Sequence, residues 1–432
     1  MSMIHFNYIF VDSPTTHIQS SWLHPKDQQG THYSSSRYWC DLARTLERGY
    51  FDGIFFADIL SVEEEFALDI IAFGGGIPRH DPLAVIPLMA DATQHIGFGV
   101  TLSTAGTPPH LAVRRLGTID NLSGGRLGWN VVTSYQRSDF RALGLEPPPH
   151  ELRYDQGDEY MEICFRLWDA FPREAIVADR SSGIFIDTSK IKKVEFSGKY
   201  FKCDTYPVVE RSAQGRPLIF QAGSSERGIR FAATHADAIF SLQPTISAMK
   251  KYLSEVGDAT RKLRSRPDPK VFFGLQPFLG GTEDEAFRLF KSLRGKIPLE
   301  AALNRLGGIL GLDLRGWDVE RPLEDIKTQA SQGLTAALKE WGRGESPSIR
   351  DAAVQISMSS TMPHLIGTPE QVAERIEAIW RETGCYGFNL SPHVSPQSAL
   401  EFVDHVVPLL QRRGLMRTEY AGRTFRENIN QA

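Results

Sequence analysis

Residues 96–133 read IGFGVTLSTAGTPPHLAVRRLGTIDNLSGGRLGWNVVT, and they contain a strand, a helix and a second strand. The runs Ile96–Leu102 and Arg126–Thr133 are short and largely apolar, which is typical of buried strands. Between them, Pro109–Leu122 carries apolar side chains at helical spacing. A strand, a crossover helix and a strand in 38 residues predict one βαβ unit of a parallel sheet.

The same alternation continues in both directions along the chain. It predicts eight strands: Ile4–Phe10, Phe51–Ala57, Ile96–Leu102, Arg126–Thr133, Leu218–Ala222, Ala238–Leu242, Val271–Phe278 and Tyr386–Ser391. Eight such units favour a closed, TIM-like (β/α)₈ barrel over an open doubly wound sheet, which would also carry a glycine fingerprint after its first strand. Gly74-Gly75-Gly76 follows a helix-like stretch and is predicted to be a turn. The fold class is therefore α/β.

Residues 1–432 are predicted to form a single barrel domain with long insertions. Three segments exceed ordinary βα loops, at residues 59–81, 171–216 and 295–365, and such insertions usually shape or cover a barrel's active site. The third insertion is predicted to act as a lid. The polar, arginine-rich residues 412–432 are predicted to be a tail that packs on a neighbour or frays.

The composition excludes several classes of function. Lysine and arginine number 48 against 52 acidic residues, a net charge of −4 that gives no electrostatic basis for binding nucleic acid. The four cysteines form no CxxC pair, so neither a zinc site nor a disulfide framework is expected. The N-terminus lacks the features of a signal peptide, and no apolar window is long enough to span a membrane. We therefore expect a cytoplasmic protein.

In a (β/α)₈ barrel the active site lies at the carboxyl ends of the strands, so the strand map predicts its residues. Those ends carry small polar side chains rather than a metal-binding cluster: Asp58, Thr101, Ser103, Asn130, Thr133, Gly223–Ser225 and Asn389–His393. A metal-dependent barrel hydrolase would require His and Asp ligands on the first, fifth and sixth strands. Phe220, Phe240 and Ser241 on the latter two are poor ligands, so no metal is predicted.

The segment 221–228, QAGSSERG, has the form of a phosphate site. A strand, a small turn and a helix N-terminus leave backbone N–H groups free to bind an anion, and Ser224 and Ser225 could add hydroxyl donors. An ordinary helix N-cap is the alternative, and the segment alone does not separate the two. His150 and Tyr154 are four residues apart at the start of another helix near the same mouth, so they share one face of that helix. They are predicted to be either ligand contacts or a structural pair.

His17 is the candidate for proton transfer. It lies in the loop after the first strand, which faces the barrel mouth. A loop imidazole whose pKa is near neutral can accept and release a proton at physiological pH. A structural role in anchoring the loop is the alternative.

Four motifs resemble those of the luciferase-like flavin monooxygenases, in the group of the nitrilotriacetate, dibenzothiophene-sulfone and long-chain-alkane monooxygenases. They are FDGIFFAD at 51–58, LSGGRLGWNVVTS at 122–134, HELRYDQGDEY at 150–160 and QAGSS at 221–225. Their order and spacing are similar to those of the family, and the resemblance covers most of the chain.

The resemblance implies a bacterial luciferase-like barrel that binds reduced FMN (FMNH₂) and uses dioxygen through a flavin hydroperoxide. It implies that Asp58 and Thr101 lie at the isoalloxazine ring, and that His150, Tyr154 and Ser225 hold the phosphate. His17 corresponds to a loop histidine proposed as catalytic in the alkane-oxidising branch. We further infer that Asn130 orients the ring edge or the hydroperoxide.

The resemblance also implies the partners. A separate NAD(P)H-dependent flavin reductase would supply FMNH₂, a small organic molecule would be oxygenated, with cleavage of a C–S or C–N bond a common outcome, and the oligomer would be a homodimer or homotetramer. Pro14 stands where the alkane branch has a cysteine, and the loop 59–80 is unusual, so the substrate does not carry over. A deazaflavin-dependent dehydrogenase on the same barrel and a non-catalytic flavin-binding protein are the alternatives.

Overall fold

The computed structural model describes residues 3–62, 67–134, 136–263, 267–326 and 347–431. Within these ranges the chain forms thirteen strands, numbered in chain order: β1 His5–Phe10, β2 Gly53–Phe56, β3 Gly97–Ser103, β4 Leu127–Val132, β5 Ile176–Asp179, β6 Ile184–Ile186, β7 Val194–Ser197, β8 Lys202–Thr205, β9 Leu218–Gln221, β10 Ala238–Ser241, β11 Lys270–Leu279, β12 His364–Gly367 and β13 Gly387–Leu390.

Eight of these strands close into a parallel barrel in the order β1-β2-β3-β4-β9-β10-β11-β13, and β13 pairs with β1 to complete the ring. In the register of the barrel, Asn7 of β1 is opposite Gly53 of β2, and Thr101 of β3 is opposite Asn130 of β4. The barrel strands are buried almost throughout, as expected when side chains fill the inside and helices cover the outside.

Most of the helices follow strands and cover the outside of the barrel, and the others lie in the insertions or at the barrel's end. In the described ranges they are α1 Gln29–His32, α2 Ser36–Arg48, α3 Ala67–Ala72, α4 Ile86–Asp91, α5 Pro109–Leu122, α6 Arg137–Ala142, α7 His150–Asp169, α8 Glu226–His235, α9 Ile246–Leu263, α10 Glu283–Gly295, α11 Leu299–Leu310, α12 Ile349–Ser359, α13 Pro369–Thr383, α14 Gln397–Glu401, α15 Val407–Arg412 and α16 Phe425–Ile429. A π-helical turn, Phe402–Val406, joins α14 to α15.

The eight predicted barrel strands are confirmed, and most of their bounds differ by one or two residues. The strand after α2 is shorter than predicted, because only Gly53–Phe56 pair with both neighbours. In contrast, β11 is long, because its lower half pairs with β13 and its upper half, Gln276–Leu279, pairs with β12. An additional strand of this sheet, β12, straddles the end of the third insertion and was not predicted.

The insertions have local structure of their own. Residues 171–216 hold two antiparallel hairpins, β5–β6 and β7–β8. In the third insertion α11 and α12 pack on each other and share a core with Ile18 of the loop after β1. The predicted lid also includes residues 327–346, and the first insertion includes residues 63–66, which lie outside the described residues.

The amino-terminal end of the barrel is closed by α16. Phe425, only 1% exposed, enters the barrel against Gly53, Gly97 and Gly128, one glycine from each of three adjacent strands. A Cβ on Gly97 would lie 2.3 Å from Phe425 Cγ, so glycine is required for the ring to fit. The described residues of the tail, up to 431, therefore pack on the barrel, whereas fraying was one of the two outcomes that the sequence suggested.

A buried ionic group fixes the same segment. Arg417 Nη2 lies 2.5 Å from Asp52 Oδ1 and donates a 3.0 Å hydrogen bond to the carbonyl of Asn428. His5 Nδ1 lies 2.8 Å from the same Asp52 oxygen. Burial alone would raise the pKa of Asp52, but Arg417 and His5 lower it below its ordinary value. The tail thus belongs to the barrel's own core.

Candidate active site

Thr101 and Asn130 form a hydrogen-bonded pair near the carboxyl ends of β3 and β4. They are opposite each other in register, and both are at least nine-tenths buried. Asn130 Nδ2 donates to Thr101 Oγ1 at 2.9 Å, and Thr101 Oγ1 donates to the carbonyl of Phe56 at 2.8 Å. Because the hydroxyl proton is already used, Thr101 can only accept from Asn130. This fixes the orientation of the carboxamide.

The other end of that carboxamide has no partner. Asn130 Oδ1 is buried and accepts no hydrogen bond from any described residue. A buried acceptor without a donor is costly, so such an atom in a native site indicates a missing ligand or water. The isoalloxazine ring of a flavin carries N–H donors at its edge. The pair therefore fits the ring edge that the sequence assigned to it.

Asp58 lies just after β2, and Arg79 of the first insertion reaches it. Arg79 Nη1 is 3.5 Å from Asp58 Oδ1, which also accepts a 2.9 Å hydrogen bond from the N–H of Ile59. Both side chains are 18% exposed. Burial raises the pKa of Asp58 to about 6, against the opposing effect of Arg79. This carboxyl group can therefore change its charge close to physiological pH.

The turn after β9 and the start of α8 form a tight backbone cradle. Ser225 is the N-cap of α8, and its hydroxyl accepts from the N–H of Gly228 at 3.1 Å. A Cβ on Gly223 would lie 2.9 Å from the Cα of Gly228, so the turn and the first helical turn touch through glycines. The remaining N–H groups of this helix end are oriented to bind an anion.

Two side chains from α7 complete the cradle. His150 Nε2 lies 3.4 Å from Ser225 Oγ, and the His150 and Tyr154 rings are 5.2 Å apart. A Cβ on Gly228 would come within 2.9 Å of the Tyr154 hydroxyl, which places that hydroxyl at the helix N-terminus. Ser224 is exposed on the same turn. The structure therefore brings together the four residues predicted for the phosphate.

His17 occupies the side of the mouth formed by β1 and β13. Its Nδ1 lies 3.0 Å from Ser391 Oγ, and its carbonyl accepts a 3.3 Å hydrogen bond from Arg305 of α11. Burial, together with the charges of Arg305 and Arg79, lowers the pKa of His17 to about 3. The imidazole is therefore neutral at physiological pH, whereas the sequence suggested that it titrates near neutrality.

Two arginines near these groups were not found from the sequence. Arg79 lies in an insertion that was predicted to shape the site, so its position was indicated but its pairing with Asp58 was not. Arg227 is the second residue of α8 and forms ion pairs with Asp155 and Asp158 of α7. Its partners are some 70 residues away along the chain, and local pattern carries no signal for such a pairing.

The described residues contain neither a metal-binding cluster nor a membrane-spanning helix. No group of three or more His, Cys, Asp or Glu side chains in these ranges could hold a metal ion. Among the helices in the described part of the chain, none is long and apolar enough to cross a membrane.

Comparison with known proteins gives consistent matches along the chain. The family model for luciferase-like monooxygenases matches residues 18–387. Dimethyl-sulfide monooxygenase of Hyphomicrobium sulfonivorans is 33% identical over 415 residues, covering 95% of this chain and 86% of its own. Nitrilotriacetate monooxygenase component A of Aminobacter aminovorans is 32% identical over 423 residues, covering 95% and 93%.

A solved structure agrees with these sequence matches. The crystal structure of a riboflavin lyase with modified FMN and its substrate riboflavin superposes with a TM-score of 0.89 at 28% identity. The match covers 100% of this chain and 96% of the other. The likeness extends over the whole barrel and its insertions.

Proposed function

Because the chain belongs to the luciferase-like monooxygenase family, we propose that it is the oxygenase component of a two-component system. In this proposal a separate NAD(P)H-dependent reductase supplies reduced FMN, and the enzyme uses dioxygen to oxygenate a small organic molecule. Membership makes it a flavin-dependent monooxygenase. The name "component A" of the nitrilotriacetate relative supports a separate reductase.

The phosphate cradle is the observation that carries the choice of FMN. Ser225, His150 and Tyr154 meet at the N-terminus of α8, where backbone N–H groups favour a doubly charged anion. FMN has a terminal phosphate, whereas riboflavin does not. The unpartnered Asn130 Oδ1 supports the flavin ring at the other end of the same mouth.

Bound reduced FMN would supply two electrons to dioxygen, so that one oxygen atom enters the substrate and the other leaves as water. The chain's own residues bind and orient. Thr101 and Asn130 hold the ring edge, and the cradle fixes the phosphate end. Asp58, with a pKa of about 6, can take up and release a proton at the mouth, and the neutral imidazole of His17 can donate or accept a hydrogen bond there.

Exclusion of water is the other task of the protein in such a reaction, since water diverts the reduced oxygen to peroxide. We assign this task to the third insertion. Its helices α11 and α12 pack on the loop that carries His17, through Ile18 and the hydrogen bond from Arg305. Closure of the third insertion through these two helices would enclose the reacting groups.

The substrate is proposed only by class. The relatives act on compounds as different as dimethyl sulfide and nitrilotriacetate, so a small organic molecule, with cleavage of a C–S or C–N bond, is the range they support. We also propose a homodimer or homotetramer. Light scattering coupled to size-exclusion chromatography measures that state directly.

Reconstitution tests the function. The enzyme, a flavin reductase, FMN, NADH and oxygen are incubated with dimethyl sulfide, nitrilotriacetate, dibenzothiophene sulfone or a long-chain alkane, and oxygenated product and peroxide are both measured. We expect that, with one of these substrate classes, the NADH consumed yields oxygenated product instead of peroxide. Bound flavin with peroxide as the sole oxidation product for every class would favour a flavin-binding protein without catalysis.

The cofactor is tested separately. Titration with FMN and with the deazaflavin coenzyme, followed by fluorescence, should give tighter binding of FMN. Preferential binding of the deazaflavin would support the dehydrogenase alternative and refute the proposed function.

A further inference from the structure

The face of α7 beside the cradle is acidic. Glu151, Asp155 and Asp158 are spaced four and three residues apart, so they share one face of the helix. Glu151 Oε1 lies 3.0 Å from His150 Nδ1, whose other nitrogen is 3.4 Å from Ser225 Oγ. Three carboxylates so close to the cradle would repel a phosphate unless a cation compensates them.

Arg227 is that cation. Its Nη2 lies 2.6 Å from Asp158 Oδ2 and 3.0 Å from Asp155 Oδ1, and its Nε lies 3.9 Å from Glu151 Oε2. The side chain is only 12% exposed. Its guanidinium carbon also lies 5.4 Å from the centre of the Tyr154 ring, so the arginine covers one face of a cradle residue.

Asp158 holds the other end of α8 as well. Its Oδ1 is 2.7 Å from His235 Nε2, near the C-terminus of that helix. Burial acts to raise the pKa of Asp158, but the hydrogen bonds from His235 and Arg227 lower it below its ordinary value. Asp158 therefore stays ionised, and α7 is tied to both ends of α8.

We propose that Arg227 is a positioning residue for the flavin phosphate. By bridging Asp155 and Asp158 it fixes α7 against α8, which holds Tyr154 and His150 at Ser225, and it neutralises the acidic face of α7. Arg227 points at the carboxylates, and its effect on the phosphate is through its neighbours. This inference rests on the proposed function, since it needs FMN as the ligand.

The test compares two flavins that differ only in the phosphate. Dissociation constants for reduced FMN and reduced riboflavin are measured anaerobically by fluorescence for the wild type and for Arg227→Gln. We expect the FMN constant to rise about tenfold and the riboflavin constant to change less than twofold. Arg230→Gln is the matched control, because it removes the same charge one turn further along α8, where the residue is exposed; it should change neither constant.

Arg227→Lys keeps the charge but replaces the planar fork by one ammonium, which cannot bridge both carboxylates equally well. It should give an intermediate loss of FMN affinity, and it serves as the test if Arg227→Gln does not fold, as judged by circular dichroism. Equal losses for both flavins, or no loss for FMN, would overturn the role of Arg227. A wild type that binds riboflavin as tightly as FMN would refute the phosphate site itself, whatever the variants do.

Discussion

Removal of the Phe425 ring should strongly destabilise the barrel. The ring is 1% exposed, so Phe425→Ala loses nearly all of its burial free energy and leaves a cavity. Such changes cost about 3–5 kcal/mol, and the smaller values occur where neighbours collapse into the space. Here the ring packs against the backbone of Gly53, Gly97 and Gly128, which is held in place by the pairing of three strands, and it stacks on the Phe220 ring at 5.7 Å between centres. We therefore expect about 4 kcal/mol.

The close contact between Phe425 and the three glycines predicts that substitutions at Phe425 and Gly97 are energetically coupled. In Gly97→Ala the new Cβ would meet Phe425 Cγ at 2.3 Å, and overpacking of this kind costs about 1–3 kcal/mol. In the double variant the methyl group enters the space that the ring has left. The loss of unfolding free energy in the double variant should then be smaller than the sum of the losses in the two single variants by at least about 1 kcal/mol.

Urea unfolding followed by tryptophan fluorescence measures these free energies. Phe287→Ala is the matched control, because that ring lies on α10 and is 41% exposed, so its removal should cost less than about 1 kcal/mol. A cost below about 1 kcal/mol for Phe425→Ala, or strict additivity in the double variant, would refute the closure of the barrel by α16.

Three further predictions concern the active site. Ser225→Ala and Tyr154→Phe should each weaken binding of reduced FMN roughly tenfold, the value of about one charge-assisted hydrogen bond, and unchanged affinity in both would remove the phosphate assignment. Folding raises the pKa of Asp58 to about 6, so the protonated group stabilises the fold below about pH 4, and this stabilisation is lost as the pH rises through about 6. The free energy of unfolding of Asp58→Asn should therefore increase by about 2–3 kcal/mol relative to that of the wild type between pH 4 and 7. Urea titrations measure this difference, and a difference that stays constant with pH would contradict the raised pKa. His17→Gln should lower turnover with little change in FMN affinity. Because the pKa of His17 is about 3, the pH profiles of the wild-type and variant rates should not differ by an ionisation near pH 6.5. Parallel losses of turnover and affinity would indicate a structural role.

The barrel could be predicted from the sequence because its evidence is local. Each strand is a short apolar run, and each covering helix has its own period, so no long-range contact is needed to find them. The meeting of Ser225, His150 and Tyr154 was predictable from local features, since Ser225 is an N-cap and His150 and Tyr154 are one helical turn apart, while their assignment to a phosphate came from the family resemblance and stays a prediction. β12 was missed because four residues at the end of a long insertion give almost no periodic signal.

The misses in the site and the tail have a different cause. Arg227 pairs with α7, and Arg79 pairs with Asp58 across an insertion, and neither pairing leaves a trace in the local pattern. The pKa of His17 is lowered first by burial and then by the charge of Arg305, almost 300 positions away, and neither is visible in the local sequence. For Phe425 a signal did exist: a glycine stands near the amino-terminal end of each of three successive strands, which indicates an occupant but not its identity.

The closure of the barrel by α16 sets an order on its assembly. His5 of the first strand contacts the carbonyl of Gln431, 426 positions later, so this contact forms only after all eight barrel strands have been synthesised. Until then the glycine-lined floor is open, and the apolar interior beneath Ile9 and Phe55 is accessible to water and to other chains. Contacts of such long sequence separation form slowly, so the nascent barrel passes through a period in which chaperone binding or aggregation competes with its closure.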